Sequence, residues 1–188
     1  MFWEHGYEPA SIAALTEAMG VRPASLYAAF GDKRRLFSEA VDRYQATYGS
    51  FSRAALAEEP TARGAIERML REFAVNYTDP AHPPGCLVIS GAVNHGPDSA
   101  EVEEELRGHR HRAREAIAER IRDGVGSGEL PEDTDADALA DFIAAVVRGM
   151  SRSAQDGASA EELLKVAELA MSAWPGERSD QSQSSPGA

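Results

Sequence analysis

The side chains that could do chemistry in this sequence fall into four groups. Cys86, with His82 and His95 on either side of it, offers a thiolate and two imidazoles, a set able to hold a soft metal ion, but the spacing matches no tight ligand template. His109 and His111 stand two apart, which on a helix points them to opposite sides, so they cannot share a metal ion there. Glu101, Glu103, Glu104 and Glu105 form a carboxylate cluster. Asp98 and Glu101 have capping-box spacing, which makes the cluster a first helical turn, where the helix dipole favours negative charge. Lys33, Arg34 and Arg35 form a cationic run directly after Asp32. If Asp32 caps a helix, the Lys33 ammonium and the helix N-terminus can hold one phosphate together; the plainer alternative is an exposed surface lysine. There is no phosphate-binding glycine loop, no nucleophile elbow and no paired-histidine zinc motif. The expectation is a protein that is not an enzyme, with no catalytic residues, no cofactor and no metal.

The elements that carry these groups are helical. Alanine, leucine, glutamate and arginine dominate, and β-branched alternation over a strand length is almost absent. Cys86–Ile89 is the nearest strand candidate, and it reads equally well as buried helix. Ser11 precedes a run with Ile12, Leu15 and Met19, Asp32 one with Leu36, Phe37, Ala40, Val41 and Tyr44, and Thr61 one with Ile66, Met69, Leu70, Phe73 and Tyr77. Ser159 and Glu162 form a second capping-box pair. Breakers separate the runs at Gly20, Gly31, Pro60, 80–85, Gly96-Pro97, 124–131 and Gly157. Two short helices before residue 32 and longer ones after it predict an all-α chain. Its parts are a small N-terminal module at 1–48, a larger helical bundle at 49–174, and a disordered tail at 175–188.

Composition narrows the class. A hydrophobic share of 43% is enough for a core, and one cysteine excludes an internal disulfide and fits a reducing, cytoplasmic setting. No apolar stretch is long enough to span a membrane, and no signal peptide opens the chain. The net charge of −12 argues against polyanion binding. Residues 1–50, however, carry five basic and six acidic side chains, leaving −11 to the rest. Phosphate attraction is screened within about 8–10 Å, so one face of an acidic protein can still bind DNA.

That face is predicted near the start. Helix 12–19, the turn Gly20-Val21-Arg22 and helix 23–30 make a helix-turn-helix, with Gly20 suited to a left-handed cap and Pro23 to a first helical turn. Leu26 and Phe30 lie one turn apart and should face the module core. Ala24, Ser25 and Ala28 then point away from it, with Tyr27 and Ala29 at the flanks. An outer face of small residues suits close approach to a surface, either a major groove or another helix. The run from Gly20 to Lys33, with Leu36-Phe37 after it and Gly6-Tyr7 and Ser11-Ile12 before it, resembles the DNA-binding signature of the tetracycline-repressor-like (TetR-type) transcriptional regulators. Arg22, where that family often has a small capping residue, and Ala29, where it often has histidine, depart from the signature. The resemblance implies that Ser11, Tyr27 and Lys33 contact phosphates of double-stranded operator DNA. It also implies that Arg22, Ala24, Ser25 and Ala28, on the helix opened by Pro23, face base edges. It further implies a full helix ahead of Phe2-Trp3-Glu4-His5, of which only the last turn is present. A mis-set or truncated start is therefore expected, with Leu15, Val21, Leu26 and Phe30 losing cover.

The same resemblance makes the larger half a homodimer interface and a chamber for a small hydrophobic effector. For the interface the expected residues are Phe142, Val146, Met150, Leu163, Ala167 and Met171, which lie on stripes that could equally pack inside the chain. For the chamber they are Met69, Phe73, Tyr77, Cys86, Ile89, Val93 and Phe142, each of which could equally be ordinary core. The leading functional expectation is a ligand-responsive regulator, most simply a repressor released from a palindromic operator. The alternatives are a helical interaction protein that has lost DNA binding, or a small helical enzyme.

Overall fold

Side-chain caps start five of the helices, at Ser11, Asp32, Thr61, Asp135 and Ser159. A computed structural model describes residues 1–92, 96 and 99–176. The described residues form α1 (Phe2–His5), α2 (Ile12–Met19), α3 (Pro23–Phe30), α4 (Lys33–Ala46), α5 (Ser50–Glu58), α6 (Ala62–Asn76), α7 (Leu87–Ser90), α8 (Ala100–Gly126), α9 (Ala136–Gln155) and α10 (Ala160–Ser172), with no strand among them. Ser11 accepts from the Ala14 amide, Asp32 from Arg35 and Thr61 from Gly64. The Ser159–Glu162 pair forms a complete capping box. Glu129 adds a cap from a distance: its two carboxylate oxygens accept from the Ala62 and Arg63 amides at 2.6 and 2.8 Å. A carboxylate there meets both the orphan donors and the positive end of α6.

Two expectations change in detail. The segment with both strand and helix character is a helix, α7, too short to stand alone but sealed by Leu87 and Val88 in the core. Helix α8 begins after Ser99, whose side chain makes no capping bond, and Asp98, the expected cap, lies outside the described residues, as do Val93, His95 and the expected tail from 177 onward.

Helix α6 is the central strut. It packs on α5 and α10 and also touches α8 and α9, while α8 lies along α9. Its buried stripe of Ala62, Ala65, Ile66, Met69, Leu70 and Ala74 explains this position, since small residues let neighbours close in around the large ones. Burying each large side chain contributes about 1.5–3 kcal/mol, and Leu70→Ala should cost about 2–5 kcal/mol. Helix α7 touches α1, α4, α8 and α9, so it wedges the N-terminal helices against the bundle.

Gly85 shows how closely that wedge is seated. Its φ of +77° lies in the left-handed region that side chains rarely adopt, and an added Cβ would fall 2.7 Å from the Ser151 carbonyl oxygen. The next amide, Cys86, donates to the buried Ser151 hydroxyl at 3.0 Å. The loop before α7 is thereby fixed to the C-terminal part of α9.

Candidate nucleic-acid interface

The turn between α2 and α3 is made by Gly20 in the left-handed conformation (φ 65°, ψ 29°), and Pro23 opens α3 without a lost hydrogen bond. Leu26, 1% exposed, anchors α3 to the module. Arg22, Pro23, Ala24, Ser25, Tyr27 and Ala28 are all exposed, so α3 presents a side of small residues flanked by a guanidinium and a phenol. Leu15 and Leu26 are covered, contrary to the expectation that they would lose partners, because they belong to the same core cluster as Phe37 and Val41. Val21 does remain 42% exposed, and Phe30 is half-buried.

Around α3 stand the groups suited to phosphates. Ser11 is exposed at the N-terminus of α2 while its hydroxyl caps that helix. The Lys33 ammonium donates to the Glu8 carbonyl at 3.2 Å and sits 4.3 Å from the centre of the Tyr7 ring. Partial burial lowers its pKa from the ordinary lysine value, with Glu8 opposing that shift. Arg34 reaches Glu101 of α8 at 3.4 Å, and Glu105 accepts from Ser38 at 2.7 Å. The rest of the carboxylate cluster is paired within α8, Glu103 with Arg110 and Glu104 with Arg107.

Behind this module the larger helices enclose a cavity of about 330 Å³. Of the residues expected at a ligand chamber, Met69, Phe73, Tyr77, Cys86 and Ile89 line it. Phe142 does not: it is 39% exposed on the outer side of α9. Tyr44, Val88 and Ile117 line the cavity too. Their helical stripes were visible in the sequence, but nothing in them distinguished wall from core. Burial, then the neighbouring Cys86, pushes the Tyr44 and Tyr77 phenols above their usual range. Burial likewise pushes the Cys86 thiol up, against an opposing hydrogen bond from Tyr44. A thiol so held is a poor nucleophile and metal ligand. Among the described residues no three His, Cys, Asp or Glu side chains converge as a metal site would.

The cavity wall is tied to the helix-turn-helix module at several points. Tyr44 and Gln45 belong to the helix that begins at Lys33, about 18 Å away along its axis. Gln45 Nε2 meets His109 Nδ1 of α8 at 3.3 Å. Arg110 donates to the Val88 carbonyl at 3.0 Å, and the Tyr7 amide donates to the Gly91 carbonyl at 2.8 Å. Trp3 donates from Nε1 to the Gly85 carbonyl at 3.3 Å and packs against Tyr44, Tyr48 and His82.

The residues expected at a dimer interface divide between two sides. Met150, Leu163, Ala167 and Met171 lie in the chain's own core, at 1%, 1%, 2% and 6% exposure, because α9 and α10 pack on each other and on α6. A second chain cannot reach them without opening the bundle. Phe142 and the half-buried Val146 face outward on α9, as Val166 (40% exposed) and Leu169 (71% exposed) do on α10. Sequence reasoning missed Val166 and Leu169, since the stripe on the inner side of α10 is the stronger one. Among the described residues no helix is long and apolar enough to cross a membrane.

Comparison with known proteins agrees along most of the chain. Residues 1–40 match the family model described as bacterial regulatory proteins, tetR family, and residues 60–167 match the tetracyclin repressor-like C-terminal domain. The HTH-type transcriptional repressor ComR of Escherichia coli is 32% identical over 176 residues, which cover 93% of this chain and 84% of the relative. BdcR, another HTH-type transcriptional repressor of Escherichia coli, is 29% identical over 170 residues, 90% of this chain and 81% of the relative. A cysteine-substituted form of the TetR family regulator CifR, solved with 26-bp double-strand operator DNA, superposes with a TM-score of 0.90 at 44% identity. That match covers 93% of this chain and 91% of that one. A structure named as a putative TetR transcriptional regulator from Rhodococcus sp. RHA1 superposes with a TM-score of 0.65 at 36% identity, covering 93% of each chain.

Proposed function

The chain belongs to the tetR family of bacterial DNA-binding transcriptional regulators, which are not enzymes, and we propose that it is a cytoplasmic repressor released from its operator by a small ligand. It works as a homodimer on a two-fold palindrome. One α3 enters the major groove at each half-site, with the half-sites about 34 Å or a multiple of that apart. Ser11, Tyr27 and Lys33 hold the backbone, while Arg22, Ala24, Ser25 and Ala28 meet base edges, and Arg22 can pair bidentately with a guanine. The partner chain covers the outer face of α9 and α10 at Phe142, Val146, Val166 and Leu169.

The observation that carries this reading is the shared use of α4. Its first turn presents Lys33 beside α3, and its last turn supplies Tyr44 and Gln45 to the cavity wall. An effector that displaces Tyr44, Val88 or Ile89 moves α4 and α7, and with them the spacing of the two reading helices. Release requires only that the effector prefer the displaced state, and a preference of about 1–3 kcal/mol shifts operator affinity about 5–150-fold. The repressor names of ComR and BdcR and the operator complex of CifR support the same reading.

The test is selection of bound duplexes from random double-stranded DNA, followed by affinity measurement on the enriched sequence. A palindrome with two half-sites is expected. Enrichment of no sequence, or of a single half-site by a monomer, would overturn the proposal.

A further inference from the structure

We propose that the chamber takes an amphipathic organic anion, a monocarboxylate whose apolar tail enters the cavity while Arg112 and Arg148 hold its head at the mouth. The inference rests on the chamber being an effector site, and adds the charge and size of what fills it. The inner wall is apolar and aromatic, with Met69, Phe73, Ile117 and Val147 facing the space. The opposite end is basic. There the cavity adjoins an open pocket, and the two share Arg110, Arg112, Arg114 and Arg148. Space therefore runs from a greasy interior to a vestibule rimmed mainly by guanidiniums, whose two carboxylates, Glu115 and Asp141, are both paired with Arg114.

Those guanidiniums are not equally occupied. Arg110 is paired with Glu103, and Arg114 with Asp137 and Asp141. Arg112 and Arg148 have no carboxylate within ion-pair distance among the described residues, in a chain with 31 acidic side chains against 19 basic. Arg112 extends back over Gly108, where a Cβ would stand 3.3 Å from its Nη1. An acidic chain thus leaves two cations uncompensated where its apolar cavity opens. A guanidinium presents a planar fork of donors that matches a carboxylate, and the remaining open side of the vestibule is wet enough to admit one. A neutral hydrophobe would leave both forks unused, and a cation would be repelled. Size follows from volume. At about 30 Å³ per water-sized group, 330 Å³ holds on the order of eleven non-hydrogen atoms. Decanoate, with a linear tail and one carboxylate, is a probe of that size.

The experiment titrates decanoate, decanol and decylamine into the full chain by calorimetry, below their micelle-forming concentrations. Operator binding is measured alongside. Decanoate should bind at least about tenfold more tightly than decanol, the margin of one charge-assisted hydrogen bond, and decylamine should bind least. In the Arg112→Gln, Arg148→Gln double variant that margin should vanish while decanol affinity persists, which also reports that the chamber is still folded. Decanol binding as tightly as decanoate to the unaltered chain would overturn the proposal, and so would a margin that survives in the double variant. If the chain holds its operator but decanoate does not bind, the inference fails and the repressor reading stands. Failure to hold any operator would count against the repressor reading, whatever decanoate does.

Discussion

Replacing Lys33 by alanine should change how operator binding responds to salt more than it changes which sequence is bound. Without DNA, the ammonium is held by the Glu8 carbonyl and the Tyr7 ring at the first turn of α4. A phosphate drawn to that helix end finds the cation already in position, with little side-chain entropy left to lose. Each phosphate neutralised contributes about 0.9 to the slope of log K against log salt. A two-fold dimer uses the residue twice, so the slope should flatten by about 1.8. Between about 50 and 200 mM salt this amounts to roughly a tenfold shrinkage of the variant's deficit relative to the unaltered chain. Losing the contact with Tyr7 should also cost about 0.5–1 kcal/mol of stability, checked by urea unfolding. Arg22→Ala should behave differently, losing about 1–3 kcal/mol on the matched base pair and much less on scrambled DNA. Fluorescence anisotropy on matched and scrambled duplexes across a salt series reads all of these. An unchanged slope for Lys33→Ala would mean that the ammonium stays with Glu8 and Tyr7 and never reaches phosphate. Identical behaviour of the two variants on both duplexes would refute the division between positioning and reading contacts.

Three further outcomes are expected. Gly85→Ala places a Cβ against the Ser151 carbonyl in a left-handed backbone, and should lower stability by roughly 2–4 kcal/mol in urea unfolding; a loss under about 1 kcal/mol would show that the loop before α7 is not seated as described. Leu169→Glu should shift sedimentation from about twice the 20.2 kDa chain mass toward one chain, and a monomer for the unaltered protein would remove the basis for that interface. His109 has its pKa lowered by burial first and by Arg112 next, with Glu105 and Asp42 opposing. The folded state then binds fewer protons than the unfolded one, so stability present above the ordinary imidazole pKa is lost as pH falls through the lowered value. His109→Gln should flatten that decline between about pH 7 and 5, and an unaltered pH profile would assign it to other groups.

The DNA-facing module was legible because its signals are local. Gly20, Pro23, Ser11 and Asp32 each fix a turn or a cap through their own chemistry, and the structure places them at helix ends. The core of α6 was legible through its period. What could not be read were choices between partners of equal chemistry. Met150 and Val146 are both apolar residues of α9, and only the positions of α6 and α10 decide that one is buried and the other looks outward. Arg112 and Arg148 are far apart in sequence and ordinary one by one; their meeting at a cavity mouth depends on how α8 lies along α9.

Trp3 gives the molecule its own optical gauge. It is one of two tryptophans, and the other, Trp174, is buried just beyond α10. The Trp3 indole is stacked on His82 at 4.4 Å and bonded to the Gly85 carbonyl, at the seam where α1, α4 and the loop before α7 meet. If an effector displaces Tyr44, the proposed route from the cavity to α3 passes this seam, since Trp3 packs on Tyr44. Indole emission depends on its hydrogen bond and its stacked neighbour, so the movement should register as a change in intrinsic fluorescence without an attached dye. A Trp174→Phe variant would leave Trp3 as the sole tryptophan, and with excitation that spares the tyrosines the timing of effector response could then be followed in the unlabelled protein.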